Sequence, residues 1–131
     1  MITGKELYRL MAGRKRLQIW EVLMLLQVFM RDSGLHDWAF AIGVGDHVHT
    51  EDSRLLGFCD LKDRRIWITD WAVRHQTPAQ LKDTILHEIA HALVFEPGHS
   101  KDWWDKAEQL GMRNSSMRDV ILEASCDPAD W

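Results

Sequence analysis

Apolar residues recur along this chain with two different periods, and the switch between them predicts the order of elements. Residues 3–12 read as a short helix with Thr3 as its N-cap, interrupted by Gly13. Residues 15–32 read as a longer helix, ended by Gly34, with Leu17, Trp20, Met24 and Val28 on its buried side. The period then drops to two. Trp38, Phe40, Ile42 and Val44 alternate with Ala39, Ala41 and Gly43, which predicts a strand with one heavily packed face. Gly45 to Ser53 is a polar loop, Leu55 to Leu61 a second strand, and Lys62-Asp63-Arg64 a tight turn. Arg65 to Thr69 is a third strand, with Ile66 and Ile68 on one face and Trp67 on the other.

Helical spacing returns after Thr77. Thr77 suits an N-cap, Pro78 suits the first helical position, and Gln80 can close a capping box. Leu81, Ile85, Ile89 and Ala92 follow at helical intervals, and Leu86, Ala90 and Leu93 widen the stripe. Glu96-Pro97-Gly98 breaks the pattern, so the helix is expected over about 78–95. Ser100 to Leu110 is the next helix, closed by Gly111, with Trp103, Ala107 and Leu110 on one face. A last short helix is expected over 115–124, before a frayed tail at 125–131. N-terminal helices, a small three-stranded sheet, a helix and a supporting helix make an α+β layer. Without repeats, low-complexity segments or a long linker, residues 1–131 are expected to form one domain, with 1–16 as an N-terminal extension.

The chemistry sits in the helix after the sheet. His87-Glu88-Ile89-Ala90-His91 places two imidazoles four residues apart, one above the other on the same helix face. Both can point at one metal ion, while Glu88 stands one step round the helix, off the ligand line. A catalytic zinc takes three protein ligands and keeps one position open. It lowers the pKa of a water molecule, and a carboxylate takes the proton as that water attacks a carbonyl. His99, beyond the turn, is the natural third ligand, and Asp102 is its competitor. Seven residues separate His91 from His99, whereas the metzincin pattern has five, including a Gly absent here.

The run Asp83-Thr84-Ile85-Leu86-His87-Glu88-Ile89-Ala90-His91-Ala92-Leu93, followed by Pro97-Gly98-His99 and Asp102-Trp103, resembles the SprT-like zinc peptidases. Gly57-Phe58-Cys59, Arg65-Ile66-Trp67-Ile68-Thr69 and Trp38-Ala39-Phe40 are similar to that family's upstream strands, so the resemblance covers roughly residues 17–115. It implies a zincin-like fold, Zn2+ as cofactor, His87, His91 and His99 as metal ligands, Glu88 as catalytic base, and a protein or peptide as substrate. Eukaryotic relatives act on proteins crosslinked to DNA, so DNA association is a further implication. Two departures stand out. Ser100 replaces the Gly usual after the third His, and with only Cys59 and Cys126 the chain cannot form the four-Cys zinc ribbon that many members carry. The same residues would also serve a metal-dependent amidase acting on non-peptide substrates, or a catalytically silent zinc-binding module; an intact Glu88 speaks against the latter.

Composition narrows the surroundings. A chain 46% hydrophobic and 27% charged is ordinary for a soluble globular protein. Its net charge of −4 gives no general attraction to nucleic acid. Locally, Lys5, Arg9, Arg14, Lys15 and Arg16 cluster, read as a solvated helix face with a phosphate-contacting patch as the alternative. No signal peptide is visible, and Val22 to Met30 is too short to cross a bilayer, so no membrane role is expected. Two distant cysteines make no disulfide framework and suit a reducing cytoplasm; Cys59 is expected in the core. Asp46, His47, His49, Glu51 and Asp52 read as a polar hairpin loop rather than a second metal cluster. His75 is an oxyanion-partner candidate better read as a loop residue. Trp67 and Trp71 could line a substrate groove, although core packing is the simpler reading.

Overall fold

Local capping signals decide where the helices begin. The computed structural model describes residues 1–43, 56–96 and 98–112. The cluster at Asp46–Asp52 and the helix expected over 115–124 lie outside the described residues. Thr3 caps α1 (Gly4–Met11) through a capping box with Glu6. Thr77 does the same for α4 (Pro78–Val94) with Gln80. Ser100 caps α5 (Lys101–Leu110), and Gly111, at φ 102°, ends it in the left-handed region that glycine enters without steric penalty.

The second helix departs from expectation. α2 runs Ile19–Asp32, not from residue 15. Gln18 is its N-cap: the Glu21 carboxylate accepts the Gln18 backbone N–H at 2.9 Å and also pairs with Arg14, which fixes the helix start. Its buried side is also different. Val22, Leu25, Leu26, Phe29 and Met30 face the core together with Leu17, which precedes the helix, whereas Trp20 and Met24 are 61% and 40% exposed.

Among the described residues the sheet has three strands, β1 (Ala39–Gly43), β2 (Gly57–Asp60) and β3 (Arg65–Thr69), in the order β1-β3-β2. β3 pairs parallel with β1, Phe40 opposite Ile66, and antiparallel with β2, Gly57 opposite Ile68. Leu61 to Arg64 forms the turn between β2 and β3, with Arg64 left-handed at φ 52°. As the central strand, β3 buries Ile66 and Ile68 completely. Trp67 is on the other face, beside Phe58 on the neighbouring strand and under the Arg65 guanidinium.

One helix was not anticipated. Thr69 ends β3 and at once caps α3 (Asp70–His75) by accepting the Ala72 N–H. Further on, α4 packs against β2, β3, α2 and α5, so it runs through the core. Mixed α+β architecture is thus what the described residues form, with five helices and the three-stranded sheet. No helix among them is long and apolar enough to cross a membrane.

Candidate metal centre

The centre is built on the middle of α4, where every residue from Asp83 to Ala92 is buried. A helix so deeply set would normally carry only apolar side chains, because an unpaired buried polar group is costly. Yet His87, Glu88 and His91 are each 0% exposed there. His99 reaches the same spot from the segment after α4. The reversal begins at Phe95, left-handed at φ 56°, whose N–H closes on the His91 carbonyl.

The donor nitrogens of His87, His91 and His99 lie within 4.8 Å of one another. The Nε2 atoms of His99 and His87 are 3.2 Å apart. Zinc–nitrogen bonds of ~2.0–2.1 Å in a tetrahedral arrangement place ligand nitrogens about 3.3 Å apart, so this pair already has the spacing of two ligands. His91 Nδ1 lies 3.0 Å from the Glu96 carbonyl, which can only accept, so Nδ1 carries the proton. That leaves the Nε2 lone pair of His91, buried and with no hydrogen-bond partner among the described residues, to meet a cation. Trp103, fully buried on α5, backs all three rings with centroid separations of 4.7, 5.2 and 4.5 Å to His87, His91 and His99.

Electrostatics favour the same chemistry. Burial, then the neighbouring His91 and His99, hold His87 well below the usual imidazole range. Burial and His99 bring His91 down to about 4, against an opposing contribution from the Glu96 carbonyl. Both rings are therefore neutral at physiological pH, the form that binds a metal. Burial pushes the Glu88 carboxyl well above its ordinary range. Both its oxygens are buried without a hydrogen-bond partner among the described residues, and Oε2 lies 3.9 Å from His87 Nε2. A dication beside it would favour the ionised form.

Other candidates fall away from this point. Asp102 is exposed on the first turn of α5, at the hollow between α4 and α5, and is not part of the histidine group. His75 is exposed at the end of α3 rather than in a loop and stacks on Trp71, 4.4 Å between centroids. Of the basic cluster, Arg14 pairs with Glu21 and Arg16 donates to the Arg74 carbonyl. Lys5 and Arg9 are exposed on α1, beside Lys82. Burial, then Glu88, then Asp60 push the Cys59 thiol up, so it stays protonated.

Sequence reasoning missed the residue facing Glu88. In the sequence Gly57 is only part of the Gly57-Phe58-Cys59 strand motif, yet a Cβ there would stand 2.9 Å from Glu88 Oε2. A glycine inside a strand is the signal that could have pointed to it.

A mixed α+β core holding three inward-facing imidazoles and a buried carboxylate defines a protein with a centre fit for a metal ion. The chain belongs to the SprT-like family, whose model matches residues 27–121, a span that takes in the sheet, the three histidines and Glu88. No curated protein and no solved structure matches it.

Proposed function

We propose that this chain is a zinc metallopeptidase of zincin-like build, with His87, His91 and His99 as the ligands and Glu88 as general base. One observation carries the reading: a fully buried carboxylate, without a hydrogen-bond partner among the described residues, stands 3.9 Å from a nitrogen of the histidine group. A structural zinc site has no need of such a group, and a proton-handling role would justify the cost of burying it. His87, His91 and His99 would hold the zinc, which would supply a water of lowered pKa and a Lewis acid for the scissile carbonyl. Glu88 accepts the proton and returns it to the leaving amine. His91 keeps its ring orientation through Glu96, and the fully buried His87 and Trp103 pack on the inner side. Among the described residues β2 is an edge strand beside α4, and its main-chain groups would suit an extended protein or peptide substrate. Such pairing gives affinity with little sequence preference. The proposed workplace is the cytoplasm.

The test is digestion of casein by the full chain, with zinc content measured on the same sample and single-stranded DNA added in a parallel arm. Cleavage by the wild-type protein is expected, and Glu88→Gln should retain zinc and lose at least ~10²-fold in turnover. Turnover confined to non-peptide amides would replace the peptidase reading with an amidase one. Turnover that survives Glu88→Gln would remove Glu88 as the base. Stimulation by the DNA arm would extend the reading to a DNA-associated protease.

A further inference from the structure

We propose that Gly57 is a positioning residue for Glu88: the side chain missing at the start of β2 makes the space in which the carboxylate sits beside the histidines. The proposal rests on the reading of Glu88 as general base.

A Cβ on Gly57 would lie 2.9 Å from Oε2, 3.0 Å from Cγ and 3.2 Å from Cδ of Glu88. Carbon atoms settle at about 3.5–4.0 Å, so a methyl group overlaps the side chain along its length, not only at its tip. Conformational freedom does not explain the glycine, because Gly57 lies within a strand and is not among the positive-φ residues. Glycine is otherwise a poor strand residue, and its presence there marks a close approach by another group. Cys59 lies two residues along on the same strand face.

Neither partner can step aside cheaply. β2 is held by pairing of Gly57 with Ile68 on the central strand. Just before it, the Leu56 carbonyl accepts both the backbone N–H of Thr69, at 3.0 Å, and its hydroxyl, at 3.2 Å. Glu88 is fully buried in the middle of α4. The overlap is therefore relieved mainly by moving the carboxylate, by a few tenths of an ångström. Misplacement of a reacting group by about 1 Å costs ~10²-fold in rate.

The experiment uses four full-length proteins: wild type, Gly57→Ala, Glu88→Ala and the double variant. Thermal unfolding of the metal-free proteins reads the contact. Gly57→Ala should lower the midpoint when Glu88 is present and leave it nearly unchanged when Glu88 has been replaced by Ala. Equal losses in both backgrounds, including failure of both to fold, overturn the proposal. Failure of Gly57→Ala alone, with the double variant folded, supports it. Kinetics on casein then read the role. Zinc-loaded Gly57→Ala should lose ten- to a hundredfold in kcat, with KM and zinc content unchanged. A change confined to KM overturns the proposal, because Gly57 would then be admitting substrate rather than placing the base. A wild-type protein with full zinc and no turnover overturns the peptidase reading instead, and the thermal comparison still decides whether Gly57 sets the place of the carboxylate.

Discussion

Trp103 donates its indole N–H to the main-chain carbonyl of His87, 3.3 Å away, while its ring lies against all three imidazoles. One side chain from α5 thus braces the helix that carries two of the histidines and the ring of the third. Such backing fixes ring orientation, and its loss typically weakens metal binding 10–100-fold. Trp103→Ala should show a loss in that range in a zinc titration against a competing chelator, and should cost about 3–5 kcal/mol of stability as a large buried aromatic. Trp103→Phe keeps a ring and loses the N–H, so its affinity should lie between those of the wild type and the alanine variant. Equal affinity in all three proteins would mean that Trp103 serves only the core.

His99 contributes from outside the helix, and its Nε2 is 3.2 Å from that of His87. His99→Ala removes one of the three donors, leaving two imidazoles and a carboxylate. Elemental analysis after dialysis should show clearly less than one zinc per chain, against one for the wild type. Undiminished zinc would transfer the ligand role elsewhere.

In the metal-free protein, stability should depend on pH with opposite signs for the two histidines His87 and His91 and for Glu88. His87 and His91 titrate below the ordinary 6.5, His91 at about 4, because burial disfavours their charged forms. Between about 4 and 6.5 the unfolded chain binds protons that these buried rings refuse. Stability therefore falls as pH drops through that window, by about 1.4 kcal/mol per pH unit for each proton of difference. Glu88 is raised above its ordinary 4.5, so the folded protein holds a proton that the unfolded chain releases. Its contribution is present below 4.5 and is lost as pH rises from there towards its folded pKa. Glu88→Gln abolishes that loss only. Urea midpoints of chelator-treated protein should show the variant gaining on the wild type as pH climbs from 4.5 towards neutrality, with the acid-side decline retained. A pH-independent difference would contradict the burial argument.

On α2, Leu25 is fully buried whereas Trp20 is largely exposed. Leu25→Ala should destabilise by about 2–5 kcal/mol, and Trp20→Ala by no more than about 0.5 kcal/mol. Denaturant midpoints of the two variants would reverse this order only if the helix presented its other face to the core.

That contrast shows why some elements were legible and others were not. α4 was readable because a capping box, Pro78 and an interrupted apolar stripe all act within a few residues of chain. α2 is apolar almost all round from Ile19 to Met30, so spacing could not choose its buried face. Packing against β1 and α4 chose it. α3 spans six residues, too few to show a period.

At the site, the chain alone determined that His87 and His91 share a helix face and that Glu88 stands beside them, because helix geometry links residues a few positions apart. It also made His99 the nearest candidate beyond the turn. Only the tertiary structure decided that His99 returns to within 3.2 Å of His87, that Trp103 backs all three rings, and that Gly57 leaves room for Glu88. Those relationships join separate elements, and they arise when strands and helices pack to remove apolar surface from water, a force that sums over the whole core and leaves no local spacing in the sequence.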